Sequence, residues 1–127
     1  MTAITAAFFA AHSAALPLYE CLEARILAEI PGTRVEVRKT QINFSNEHLF
    51  ACVSFLPVVK AALRPPAYLV VSFGLGYRAV SPRIAAVAQP RPNRWTHHVP
   101  IVRADEADDE LLSWLKEASA FAAAKRR

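Results

Sequence analysis

The stretch "TRVEVRKTQINF", residues 33–44, decides the fold, because the spacing of apolar residues changes within it. Upstream, Leu18, Leu22, Ile26 and Ile30 recur every four residues, with Cys21 and Leu27 at neighbouring positions and Glu20, Glu23 and Glu29 mostly off the stripe. That is the period of an amphipathic helix. From Thr33 onward Val35 and Val37 alternate with Arg34, Glu36 and Arg38, the period of a half-buried strand. Ile42 and Phe44 carry the alternation on with the opposite parity, so a bulge or tight turn must fall near Lys39 and Thr40.

Toward the N-terminus, "TAITAAFFAAHS" reads as a short helix and "AALPLYECLEARILAEI" as a longer one. Ser13 is the candidate N-cap, and Pro17 falls near the first turn, where backbone N–H groups have no partner anyway. "PG" at 31–32 stops this helix. Downstream, "LFACVSFL" and "AYLVVSF" are apolar on both parities, as strands covered on both faces would be. "PVVKAALRPP" between them is a connection with a short helical turn ended by two prolines, and "GLG" at 74–76 breaks the next strand. "RIAAVAQ" and "RWTHHVPIV" flank "PRPN", a hairpin with a four-residue loop, with a short helix at 83–88 as the competing reading.

The closing "ADEADDELLSWLKEASAFAAAKRR" is the clearest helix. Asp105 or Asp108 caps it, acids fill its first turn, and Lys125, Arg126 and Arg127 sit at its C-terminal end. Leu111, Trp114, Leu115, Ala118, Phe121 and Ala122 share one face. The expectation is a single α+β domain over residues 1–127. It has two N-terminal helices, a mainly antiparallel sheet of five or six strands, and a C-terminal helix packed on one sheet face.

More than half of the 127 residues are apolar, which excludes a disordered chain. The opening "MTAITAAFFAAHSAALPLY" lacks the positive start of a secretion signal and is interrupted by His12, Ser13 and Pro17. No apolar run reaches the length of a membrane span, so the expectation is a cytoplasmic protein. Cys21 and Cys52 form no CxxC pair and read as reduced, buried thiols. Charge is unevenly placed: nine basic residues and one acid, Glu47, lie between Val37 and Ala104, while both ends carry a net negative charge.

Three stretches carry candidate chemistry. In "RWTHHV", strand alternation sends Trp95, His97, Val99 and Ile101 to one side and Thr96, His98, Pro100 and Val102 to the other. Adjacent histidines then point apart and do not share a metal ion, and Cys21, Cys52, His12 and His48 show no supporting spacing. One histidine belongs to the core and the other to the open face, with His98 the functional candidate because His97 shares its side with Trp95, Val99 and Ile101. In "KTQINFS", Lys39, Gln41, Asn43 and Ser45 share one parity, a polar row spaced about 7 Å apart that is either a solvated face or a recognition strip. In "FGLGYRAVSPRI", Gly74-x-Gly76 lacks the third glycine of a dinucleotide fingerprint and reads as a strand-end turn. Arg83, after Pro82, offers a guanidinium fork suited to carboxylate or phosphate.

No serine or cysteine sits in an activated motif, and the strand region lacks paired carboxylates, so catalysis by familiar chemistry is disfavoured. The order and spacing of "RKTQINF", "FACVSFLP", "YLVVSFGL", "SPRI", "RWTHHV" and "DDELLSWLKEA" resemble a bacterial domain-of-unknown-function family, family 5655, over nearly the whole length. That resemblance implies no activity and carries over no functional residue.

The expectation for function is a non-catalytic binding module for an anionic ligand, nucleic acid or a phosphate-bearing metabolite, met by a basic sheet and loop surface. Lys39, Gln41, Arg83, Arg94, Trp95 and His98 are its candidate ligand-binding residues, with no metal, no cofactor and no membrane partner. A second reading is a small-molecule pocket, enzymatic or not, using Lys39, His98 and Tyr77. A third is homodimerisation through a sheet edge or the first helix.

Overall fold

A computed structural model describes residues 2–124. The basic residues Lys125, Arg126 and Arg127, assigned above to the end of the last helix, lie outside the described residues. Helices α1 (Ala3–Phe8) and α2 (Leu16–Glu29) come first and helix α3 (Asp109–Ala123) last. Between them run strands β1 (Arg34–Val37), β2 (Ile42–Ser45), β3 (Leu49–Ser54), β4 (Leu69–Leu75), β5 (Ala86–Arg91) and β6 (Arg94–Ile101). The six strands form one sheet in the order β1-β2-β3-β4-β6-β5, every neighbouring pair antiparallel. This is the α+β architecture that the change of period implies.

The reversal of parity at residues 38–41 is a turn, closed by the Arg38 N–H donating to the Gln41 carbonyl at 2.8 Å. It lets Val35 and Val37 face the same side as Ile42 and Phe44, their register partners. That inner side continues through Ala51 and Val53, through Leu69, Val71, Phe73 and Leu75, and through His97, Val99 and Ile101. Helix α3 packs against β3 and β4, and Leu111, Leu112, Leu115 and Ala118 are fully buried in the same core as Leu22 and Ile26 of α2. The Phe73 ring stacks on His97, centroids 5.2 Å apart, and on Trp114 of α3 at 5.6 Å, joining helix to sheet.

Several local expectations change. Ser13 does not cap α2; it opens a 3-10 turn over Ser13–Ala15, and α2 starts after Ala15 with no side-chain cap. Pro17 in the first turn supplies helical φ without a lost hydrogen bond. Leu27 is 45% exposed and Tyr19 takes the buried place beside the Leu18–Ile30 stripe. Strand β4 runs through Gly74 to Leu75, so the break comes at Gly76. There an added Cβ would stand 2.9 Å from the Phe121 ring, and only glycine lets α3 approach.

Residues 86–91 are strand, not helix, and the "PRPN" loop shrinks to Pro92 and Asn93, because Arg91 pairs with Arg94. Proline holds its φ negative and Asn93 adopts φ 60, so the chain reverses within two residues. Of the two candidate caps for α3, Asp108 accepts from the Leu111 N–H at 3.1 Å, while Asp105 lies in a preceding 3-10 turn. Among the described residues no helix is long and apolar enough to cross a membrane.

Phe73→Ala removes the ring shared by the sheet and α3 and should cost about 3–5 kcal/mol of stability in a urea titration. A loss under about 1 kcal/mol would show that this ring does not hold the layers together.

Candidate functional site

The register of β4 with β6 sets Phe73 opposite His97 and Ser72 opposite His98. His97 therefore turns inward, where it is fully buried. Its Nε2 accepts from the Ala79 N–H at 2.9 Å and so ties the segment between β4 and β5 to the sheet. A neutral ring accepting at Nε2 carries its proton on Nδ1, which is buried without a partner among the described residues. Burial holds His97 below the ordinary histidine range.

His98 turns outward. Its Nδ1 lies 2.7 Å from the Ser72 hydroxyl, and its Nε2 has no hydrogen-bond partner among the described residues. Across the outer face Asn43, Cys52, Ser72, His98 and Ala86 are successive cross-strand partners. Around them lies a hollow of about 500 Å³ lined by Gln41, Cys52, Ser54, Ser72, Thr96 and His98, with Leu56 as an apolar wall. Burial also pushes the His98 imidazole down, so it is a neutral donor or acceptor at pH 7. The Cys52 thiol is pushed up by burial and stays protonated, which makes it a poor nucleophile.

The structure brings together only part of the set expected from sequence. Gln41 and His98 line the hollow. Arg94 shares their face, two positions before Thr96, and its guanidinium lies against Gly74, where an added Cβ would stand 3.1 Å from Nη2. Lys39 is exposed in the β1–β2 turn, next in sequence to Thr40 at the rim. Trp95 is on the inner side, opposite Leu75.

Arg83 is engaged elsewhere. It donates to Asp108 at 2.7 Å, to Glu110 at 3.1 Å and to the Glu106 carbonyl at 2.7 Å, so it ties the start of α3 to the segment before β5. Tyr77 donates to Glu117 of α3, away from His98. Ser54, Ser72, Thr96 and Cys52 complete the hollow without having been singled out. The available signal was polar residues set inside the apolar runs "FACVSF" and "YLVVSFG".

Of the nine central basic residues, Arg38, Arg83 and Arg103 are in ion pairs. The outer face from β2 to β6 carries no carboxylate.

Both histidines titrate lower when folded, so the unfolded chain binds protons more readily. Their contribution to stability is complete above the ordinary value of 6.5 and is lost as pH falls below it toward the folded values. Urea titrations between pH 7.5 and 5 (about those limits) should show falling stability, and a flatter profile in His97→Gln. An unchanged slope in that variant would remove His97 from the account. Arg83→Ala should lower stability by about 1–2 kcal/mol, because it removes the guanidinium from the Glu106 carbonyl and from Asp108, which keeps only the Leu111 N–H. Wild-type stability in that variant would mean these contacts contribute nothing.

The model of a family described as a domain of unknown function, DUF5655, matches residues 4–122. No curated protein and no solved structure matches the chain. With all but a few terminal residues covered, the chain belongs to the DUF5655 family.

Proposed function

We propose that the outer-face hollow binds a small, polar, phosphate-bearing ligand without chemically transforming it. The observation that carries this reading is the convergence of Gln41, Ser54, Thr96 and His98 on one carboxylate-free hollow, with the Arg94 guanidinium on the same face. Amide, hydroxyl and imidazole groups supply oriented donors, and the guanidinium supplies charge. A volume of about 500 Å³ suits one small molecule. A nucleic-acid strand would need a track of cations, whereas Lys60 and Arg64 lie on the β3–β4 connection, Arg78 on the β4–β5 connection and Arg91 at the end of β5. The raised Cys52 thiol and the lack of a carboxylate beside His98 argue against turnover.

Thermal melting against a panel of phosphomonoesters, in buffer of about 0.15 M salt, tests this. A ligand at one hundred times its Kd should stabilise the protein by about 2.7 kcal/mol. Arg94→Ala and His98→Ala should each weaken binding about tenfold or more. Absence of any stabilising phosphomonoester, or binding untouched by both substitutions, would overturn the reading. Tight binding of single-stranded nucleic acid that collapses with added salt would replace it with a nucleic-acid surface.

A further inference from the structure

A second cavity, separated from the outer-face hollow by Phe55, which lines both, lies between the α1–α2 connection and the long segment joining β3 to β4. It measures about 440 Å³, and His12, Ser13, Phe55, Arg64, Pro66 and Tyr68 line it. Arg64 precedes Pro65, and a residue before proline is confined to extended backbone; its φ is −88 and its ψ 118. The side chain it carries is held as well. Its guanidinium carbon lies over the Tyr68 ring, 5.9 Å from the centroid. Tyr68 is only 6% exposed, and its hydroxyl donates to the Leu56 carbonyl at 2.6 Å.

This arginine has no counter-ion among the described residues, and its Nε–H is shielded from solvent without an acceptor. The rest of the guanidinium lines the cavity, where an anion would neutralise a charge that no carboxylate among the described residues offsets. Across the cavity, the His12 imidazole stacks on Phe55 with ring centroids 3.9 Å apart and planes inclined by 20°. Ser13 adds a hydroxyl, and no carboxylate lines the space. A cationic ligand would meet Arg64 unopposed, while an oxoanion would meet a planar fork, an imidazole and a hydroxyl.

We infer that this cavity is an oxoanion site, with Arg64 as its charged anchor and His12 and Ser13 as its polar partners. It takes a phosphate group, either as free phosphate or as part of a small phosphomonoester whose organic portion lies against Pro66 and the Phe55 ring. The inference stands whether or not the outer-face hollow binds a ligand, because the two are lined by different polar groups.

Amide chemical-shift titrations with inorganic phosphate and with glycerol phosphate, at constant ionic strength, test the site. Shifts should concentrate at residues 11–14 and at Arg64, Ala67 and Tyr68, Pro65 and Pro66 having no amide N–H. Arg64→Ala should weaken binding about tenfold or more, and Arg64→Lys, which keeps the charge without the fork, should weaken it less. Arg94→Ala and His98→Ala should leave these shifts unchanged, which separates this site from the one on the outer face. Tighter binding of glycerol phosphate would identify the phosphomonoester as occupant, and equal affinity the phosphate group alone. No perturbation at residues 11–14, Arg64, Ala67 and Tyr68 would overturn the inference. So would unchanged affinity in Arg64→Ala whose amide spectrum remains that of the folded protein.

Discussion

The pairing of β4 with β6 is the constraint on which the rest depends. Its register runs from Leu69 opposite Ile101 to Leu75 opposite Trp95 without a break. Because side chains alternate with a period of two, a slip of one residue would turn every pair over. Thr96, His98 and Pro100 would enter the core, and Val99 and Ile101, now fully buried, would leave it. The apolar set therefore holds the histidines in their two environments, and the difference between those environments separates structure from site.

His97 and His98 connect the two sides of the sheet through one strand. His97 holds Ala79 from the inner side, while the His98 carbonyl accepts from the Ala85 N–H at 2.9 Å. The segment between β4 and β5 is thus fastened at both ends to the strand that carries the outer-face imidazole. Phe73 and Trp114 brace the inner ring, so helix α3 supports the geometry of the hollow from the opposite face.

Charge is divided by layer. Acids gather at the start of α3, where the helix dipole favours them. Two arginines from other parts of the chain meet them there: Arg83, and Arg25 of α2, which donates to Asp109 and to the Ala107 carbonyl. These contacts spend basic side chains on packing. Arg94 and Arg64, which make no ion pair among the described residues, lie where carboxylates are scarce, one on the outer sheet face and one over Tyr68.

Periodicity alone carried the layer architecture, the turn near Lys39, the α3 stripe and the opposed directions of the two histidines, because each depends on neighbours within a few residues. The length of the hairpin loop, the end of β4 and the absence of a cap at Ser13 were less legible, since packing partners move such boundaries by a residue or two. Site composition was least legible. Cys52, Ser72 and His98 come from three strands and Gln41 from the turn before β2, and only the sheet order places them side by side. Arg83 reads in the sequence as a fork suited to carboxylate or phosphate, and the carboxylates it meets are the chain's own Asp108 and Glu110. Local alternation thus determined which way each side chain points, and tertiary pairing decided what it meets there, because contact across strands depends on register and not on distance along the chain.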